Sequence, residues 1–157
     1  MPDSISIRLA TADDIPMIRH QRRRMFVDMG NPENQVLDDH DEIFKKWVGP
    51  TMEAGEYLGF LAQNEAGETV GGAGLWLPNW PPHPVRPHTR RGYVMNVYVR
   101  PEYRGQGIAK RLMIAVMEWC KANNVLIISL HASDAGRPVY EGLGFEGTNE
   151  MRIEIEE

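Results

Sequence analysis

Residues 104–109 read RGQGIA and join a segment with strand-like alternation to one with helical periodicity. The first turn of such a helix has backbone amides without intrahelical partners, and its partial positive charge favours phosphate oxygens. Gly105 and Gly107 allow the backbone to approach a bulky anion closely. Three cationic side chains lie near the same helix end: Arg104, Lys110 and Arg111. This glycine loop (residues 104–109) is a candidate diphosphate site, although a strained strand-to-helix turn explains the glycines equally well on its own.

Two nucleotide-binding motifs can be compared with the glycine loop by their spacing. A P-loop requires Gly-x4-Gly-Lys-Ser/Thr, and the sequence contains no such run. A dinucleotide fingerprint requires a third glycine at the position of Lys110. The sequence therefore disfavours both motifs.

Three other side chains have types that can do chemistry. Cys120 lies roughly 20 Å along the predicted helix from the glycine loop, at about 1.5 Å per residue, so we expect a buried structural thiol. His131 is of a residue type that can exchange a proton near neutral pH, but a lone histidine after a strand is more often structural. Tyr140 can either donate a proton or pack its ring on the core, and the residues alone favour packing.

The elements that must position these residues follow from the periodicity of the apolar side chains. Alternation predicts strands at residues 5–9, 57–62, 69–77, 93–99, 125–130 and 151–155. A period of 3.6 predicts helices at residues 11–29, from about 41 to 50, at 108–119 and around 135–141. The first helix is expected to bury Ile15, Ile18, Met25, Phe26 and Met29, and the second Ile43, Phe44, Trp47 and Val48.

Two segments allow more specific expectations. Residues 125–130 are almost wholly apolar, as in a central strand that is covered on both faces. Residues 78–92 contain many prolines, which predicts a stiff extended connector, or less favourably the wall of a pocket. The order of elements predicts an α/β fold in one domain over residues 1–157, with a mixed sheet and helices on both faces.

The length and composition of the chain limit its possible partners and location. A chain of 157 residues is long enough to bury a core, and its net charge of −5 gives no reason to expect a nucleic acid partner. The single cysteine fits a reducing compartment, so we expect a cytoplasmic protein. No apolar run approaches the ~20 residues of a membrane helix, and we expect neither a signal peptide nor a membrane partner.

Two blocks of the sequence resemble the GNAT acetyltransferase superfamily. Residues 97–109 read VYVRPEYRGQGIA and are similar to its Arg/Gln-x-x-Gly-x-Gly/Ala motif. Residues 140–145 read YEGLGF and are similar to its closing Tyr-x-x-x-Gly-Phe motif. The resemblance implies an acyl-CoA N-acyltransferase fold, with a central, mostly antiparallel sheet and helices on both faces.

The resemblance also implies roles for individual residues. The pyrophosphate of coenzyme A would bind the backbone amides of Arg104, Gly105, Gln106, Gly107 and Ala109. The pantetheine arm would pair like an added strand with the main chain of Val97 and Val99. The Val97 amide would polarise the thioester carbonyl, and Tyr140 would protonate the leaving thiolate.

Other positions stay open within the resemblance. Ser133 or Asp134 either caps the short helix or touches pantetheine, and capping is the preferred use. Arg137 either reaches a phosphate of coenzyme A or forms a surface ion pair. Some relatives have a glutamate base where this chain has Met95 and Asn96, so we expect deprotonation of the substrate through water.

The implied reaction is transfer of an acetyl group from acetyl-CoA to a primary amine of a small molecule or peptide. It would proceed by direct attack in a ternary complex, without a metal and without an acyl-enzyme. The alternative is a module that binds acyl-CoA as a sensor without turnover. A homodimer through sheet edges is a further expectation.

Substrate choice is expected in residues 25–42 and in the proline-rich loop. The acidic residues 38–42 either attract a cationic amine or form a helix cap and a solvated face, which is the preferred interpretation. Arg22, Arg23 and Arg24 are interpreted as the solvated side of the first helix.

Overall fold

The structure, a computed structural model, describes residues 4–87 and 90–157. Its strands are β1 (Ser6–Leu9), β2 (Tyr57–Gln63), β3 (Thr69–Trp76), β4 (Arg90–Val99) and β5 (Val125–Leu130). Its α-helices are α1 (Ile15–Asp28), α2 (Gln35–Glu53), α3 (Ile108–Ala122) and α4 (Arg137–Gly142). Short 3-10 turns precede α1 and follow β4, at Ala12–Asp14 and Pro101–Tyr103.

The five strands form one sheet in the order β1-β2-β3-β4-β5. Neighbouring strands are antiparallel from β1 to β4, and β4 and β5 are parallel. The hairpin between β2 and β3 closes through a turn in which the Gly67 amide donates to the Asn64 carbonyl at 3.0 Å, with Gly67 at φ +80°. The predicted mixed, mostly antiparallel sheet is confirmed.

Helices cover both faces of the sheet, as predicted. The larger core lies under α3 and includes the fully buried Leu112, Met113 and Val116. A smaller core lies on the opposite face, where Ile18 of α1 and Phe44 and Val48 of α2 are buried. The sheet is thus the middle of three layers.

The boundary of α1 corrects one expected core position. Met29 is 62% exposed, because α1 ends at Asp28 and the chain turns at Gly30 with φ +98°. Ile18, by contrast, is buried as expected.

The prediction for α2 was wrong at both ends. It begins six residues earlier, at Gln35 rather than 41, because the side chain of Asn34 accepts a hydrogen bond from the Val36 amide at 3.1 Å and caps the helix. It also continues past Pro50, which lies on the exposed side, where solvent can hydrate the carbonyl that proline leaves without a donor. Ile43 is 65% exposed and was wrongly assigned to the core.

The end of the chain differs most from expectation. β5 is an edge strand among the described residues rather than a central one, and Leu126 is 45% exposed. No strand is assigned within the described residues 145–157, and Met151, Ile153 and Ile155 are 94%, 82% and 84% exposed. The predicted strand at residues 151–155 was therefore wrong, because alternation of side chains does not provide a neighbouring strand for pairing.

β4 begins at Arg90, earlier than predicted, so the proline-rich connector is shorter. Its residues 79–87 are exposed, and the predicted residues 88 and 89 lie outside the described residues. No helix in the described ranges is long and apolar enough to cross a membrane.

Candidate active site

The site is centred where β4 and β5 separate. The two strands pair from Arg90 with Val125 to Val94 with Leu130, and their pairing ends there. β4 continues to Val99, so its edge toward β5 is free of a neighbouring strand over residues 95–99. The separation opens a cleft in which the main chain of β4 can pair with an extended ligand.

A β-bulge at Asn96 sets which side chains face each side of this cleft. Asn96 has φ +58°, and the register with β3 shifts at the same place, between Gly72 and Gly74. Met95 packs against the smaller core, and Asn96 also points to that face, where it bonds to Tyr57 and Arg22. Val97 returns to the larger core. The bulge thus interrupts the ladder next to Val97.

The glycine loop leads from the end of β4 into α3. Gly105 and Gly107 have φ +78° and +77°, which is the left-handed region that favours glycine. No heavy atom lies within 4 Å of a Cβ built at either position, so the glycines are required by the backbone and the space beside them is open. Gly107 occupies the N-cap position of α3, without a side-chain cap.

The amides of this loop that lack an acceptor are shifted by one residue from the predicted set. The Arg104 amide already donates to the Pro101 carbonyl at 3.2 Å, because the chain turns there. The amides of residues 105–110 donate to no acceptor in the described part of the chain. The open set therefore includes Gly105, Gln106, Gly107 and Ala109 of the predicted residues, and Arg104 is not part of it.

Two of the three nearby cations point elsewhere. The Arg104 guanidinium donates to the Val99 carbonyl at 2.8 Å and to Asp28 at 2.7 Å. The Arg111 guanidinium donates to the Ile5 carbonyl at 2.6 Å. Lys110 is exposed and remains available to an anion beside the loop.

Tyr140, on α4, packs against the same core as Val97. Its ring lies 5.9 Å from that of Phe145, at 65°. A Cβ at Gly136 would lie only 2.9 Å from Cε2 of Tyr140, so this glycine lets the ring sit close to the backbone. Burial raises the pKa of Tyr140 and keeps the phenol protonated at neutral pH, as a proton donor requires. Its hydroxyl bonds to no described residue.

The loop after β5 carries three predicted or weighed residues. The Ser133 hydroxyl accepts from the Gly136 amide at 3.1 Å in the turn before α4. Gly136 is the N-cap residue of α4 and no side chain caps this helix, so the preferred capping role was wrong. Arg137 pairs with Glu141 at 3.5 Å on the surface. His131 is hydrogen-bonded through Nδ1 to the Tyr93 hydroxyl. Cys120 lies on the buried face of α3, and burial raises its pKa to about 11, which is consistent with a structural thiol.

Sequence reasoning missed a polar cluster on the opposite face of β4. Arg23 and Arg24 form surface ion pairs, as expected of the solvated side of α1. Arg22 does not, because its guanidinium lies between the rings of Phe26 and Phe44 and donates to Asn96. Helical periodicity could have indicated this, because Arg22 lies four residues from both Ile18 and Phe26 and so shares their face of the helix.

The fold is that of an acetyltransferase. The acetyltransferase (GNAT) family matches residues 16–145, and the chain belongs to this family of enzymes. A GCN5-related N-acetyltransferase from Ralstonia eutropha JMP134 is 31% identical, with 97% of this chain and 99% of that chain covered and a TM-score of 0.87.

Two further proteins are similar. A predicted acetyltransferase from Clostridium acetobutylicum, whose crystal structure is described with acetyl-CoA, is 27% identical over 98% of this chain and 96% of its own, with a TM-score of 0.85. Glucosamine 6-phosphate N-acetyltransferase from Trypanosoma brucei brucei is 29% identical over 103 residues, 65% of this chain and 68% of that protein.

GNAT acetyltransferases use acetyl-CoA, and the described residues fit this donor. The open amides at 105–110 suit its diphosphate, and the unpaired edge of β4 suits an extended arm with amide groups.

Proposed function

We propose that the enzyme transfers the acetyl group of acetyl-CoA to a primary amine of a small molecule or peptide, by direct attack in a ternary complex. The observation that carries this is the presence, on consecutive elements of the chain, of two open main-chain surfaces: the β4 edge from Met95 to Val99 and the amides of residues 105–110. One ligand with a diphosphate and an amide-bearing arm would satisfy both. We further propose that residues 1–157 act as one domain.

In this proposal the diphosphate binds the amides of Gly105, Gln106, Gly107 and Ala109. The Arg104 side chain instead fixes the end of β4, through its bond to the Val99 carbonyl. Val97 and Val99 offer main-chain groups to the pantetheine arm. Arg137 can leave Glu141 for a phosphate at little cost, because exposed ion pairs contribute only about 0–1 kcal/mol. Ser133 remains a candidate pantetheine contact, in addition to its bond to the Gly136 amide.

The chemistry follows from the same geometry. The amine nitrogen forms a bond to the thioester carbon, and the Val97 amide stabilises the oxyanion by about 3 kcal/mol. The C–S bond then breaks, and the Tyr140 phenol gives its proton to the departing sulfur. The amine loses its extra proton through water to the tyrosinate, because Asn96 at the bulge cannot accept it.

A release assay for free thiol tests this function. Wild-type protein with acetyl-CoA should release coenzyme A in the presence of some members of an amine panel that includes amino acids, amino sugars, polyamines and peptide N-termini. Amino sugars are included because the Trypanosoma relative is named for one. The alternative is an acyl-CoA sensor. It predicts that acetyl-CoA at 100 times its dissociation constant stabilises the folded protein by about 2.7 kcal/mol, while no amine causes release of thiol.

We also propose a homodimer formed by exchange of the C-terminal segment. Met151, Ile153 and Ile155 alternate with polar residues in the sequence and are almost fully exposed, and β5 presents an unpaired edge within the described sheet. A second copy would cover both surfaces at once in an isologous interface.

We also propose a cytoplasmic location for this enzyme. The single cysteine supports it, because a chain that forms no internal disulfide fits a reducing compartment.

A further inference from the structure

Arg22 is a partly buried cation that no carboxylate of the described residues neutralises. The other arginines of α1 all have acidic partners, as in the pairs Arg19 with Glu42, Arg23 with Asp38 and Asp41, and Arg24 with Asp28. Arg22 instead donates to two neutral acceptors, the Asn96 Oδ1 atom at 2.6 Å and the His40 Nε2 atom at 3.0 Å. It is the exception on its helix.

The surroundings of Arg22 offer no hidden anion. The rings of Phe26 and Phe44 lie 4.9 and 4.7 Å from its guanidinium carbon and give partial compensation through cation–π contact. Burial raises the pKa of Tyr57 to about 12, so this phenol is neutral. Burial and the charge of Arg22 lower the pKa of His40, which is neutral as well. A desolvated guanidinium therefore remains without a counter-ion.

One side of the guanidinium is still free to bind. The Nη2 group donates to no described residue, and it is not among the side-chain atoms sealed from solvent without a partner. A guanidinium with free N–H groups in a partly desolvated site suits a carboxylate or phosphate.

The location of Arg22 connects this free group to the reaction. Its acceptor Asn96 forms the bulge of β4 and precedes Val97, where β4 has already left β5. Asn96 is held by a second bond, from its Nδ2 atom to the Tyr57 hydroxyl at 3.0 Å. Gly74 makes room for that hydroxyl, since a Cβ there would lie 2.2 Å from it. Arg22 is thus fixed on the α1 and α2 side of the proposed thioester position.

We propose that the acceptor substrate is an amine that also carries an anionic group, a carboxylate or a phosphate, and that Arg22 binds this group. The inference rests on the proposed acetyl transfer. Three of the acidic residues on α2, Asp38, Asp41 and Glu42, are paired with arginines of α1 and so do not favour a cationic acceptor. Arg22 is therefore a specificity determinant of the acceptor site.

Matched pairs of amines test the assignment. Glucosamine 6-phosphate is compared with glucosamine, and amino acids with their amides, in the thiol-release assay. For wild-type protein we expect at least one anionic member to have kcat/KM about tenfold to a hundredfold above that of its neutral partner. Arg22→Gln should remove this preference by raising KM for the anionic amine, with a smaller effect on the neutral one. Arg24→Gln, on the exposed side of the same helix, should keep the preference.

Calorimetric binding of each amine to the coenzyme A complex separates this inference from the proposed function. If coenzyme A binds and no amine is acetylated, acetyl transfer fails, yet an anion preference in binding that Arg22→Gln abolishes still supports the Arg22 site. A purely structural Arg22 predicts that Arg22→Gln lowers activity toward both members of a pair equally. That result, or a wild-type preference for the neutral amines in both assays, overturns the assignment.

Discussion

Val94 and Leu130 form the last pair shared by β4 and β5, and beyond them the two strands diverge. Parallel strands in a sheet normally leave no main-chain groups unpaired between them, so this separation creates a binding edge inside the sheet. The bulge at Asn96 follows two residues later and turns Val97 back toward Tyr140's side of the molecule. The residue of the proposed oxyanion donor and the proposed acid therefore pack against the same core, on one face of the sheet.

Replacement of Tyr140 by phenylalanine tests the proton donor. The ring should keep its packing on Phe145, because only the hydroxyl is removed. We expect kcat to fall by about 10²-fold or more, as for loss of a general acid, with the affinity for coenzyme A unchanged. Steady-state kinetics with calorimetry measures both quantities.

Tyr103→Phe is the matched control for Tyr140→Phe. Its hydroxyl accepts from the Asn64 side chain at 3.1 Å, away from the cleft, so kcat should stay near the wild-type value. If Tyr140→Phe also retained wild-type kcat, Tyr140 would not be the acid.

Replacement of Gly107 by alanine tests the anion site. At φ +77° an alanine costs about 1–2 kcal/mol, and its methyl group would enter the open space beside the amides. We expect a lower free energy of unfolding and at least tenfold weaker binding of coenzyme A. Urea unfolding and calorimetry measure the two effects.

Gly142→Ala is the control for Gly107→Ala. Gly142 also has open space at its Cβ position, but it has no positive φ and lies at the end of α4. Its replacement should leave coenzyme A affinity unchanged. Unchanged affinity in Gly107→Ala as well would remove the glycine loop from the cofactor site.

The exposed C-terminal stripe predicts a concentration-dependent dimer. Analytical ultracentrifugation of the wild-type chain should show a dimer, and Ile153→Glu should shift it to monomer because a charge cannot be buried in the exchanged interface. Glu154→Gln, which alternates to the other side of the segment, should leave the dimer intact. A wild-type protein that stays monomeric at high micromolar concentration contradicts strand exchange.

The parts of this fold that could be read from the sequence are those that local chemistry determines. The hairpin at Gly67, the glycine loop and the buried face of α3 at Ile108, Leu112 and Val116 were predicted, because turns and helical periodicity depend on nearby residues. For the same reason the open amides at 105–109 were predicted almost in full.

The errors fall where distant parts of the chain decide the outcome. Residues 151–155 alternate like a strand but are assigned none among the described residues, and β5 looked central although it lies at an edge of the described sheet. Arg22 looked solvated next to Arg23 and Arg24, because one-dimensional charge runs do not show that Asn96 lies across from it. The Arg104 amide was wrongly included among the open amides, because it donates to the Pro101 carbonyl in a local turn.

Alkaline titration tests the burial of the Tyr57 hydroxyl beside Asn96. Burial raises its pKa from 10.0 to about 12, so the unfolded chain loses this proton at a lower pH than the folded protein. Its contribution to stability is therefore complete below pH 10 and is lost as the pH rises through about 12. Urea unfolding should show a declining free energy of unfolding across this window.

Cys120 acts in the same direction, with a pKa raised from 9.0 to about 11, so the decline in the free energy of unfolding should be shallower, not absent, in Tyr57→Phe. An identical slope in the variant would mean that the Tyr57 hydroxyl is hydrated in the native protein, and Asn96 would then lack the fixed partner that orients it toward Arg22.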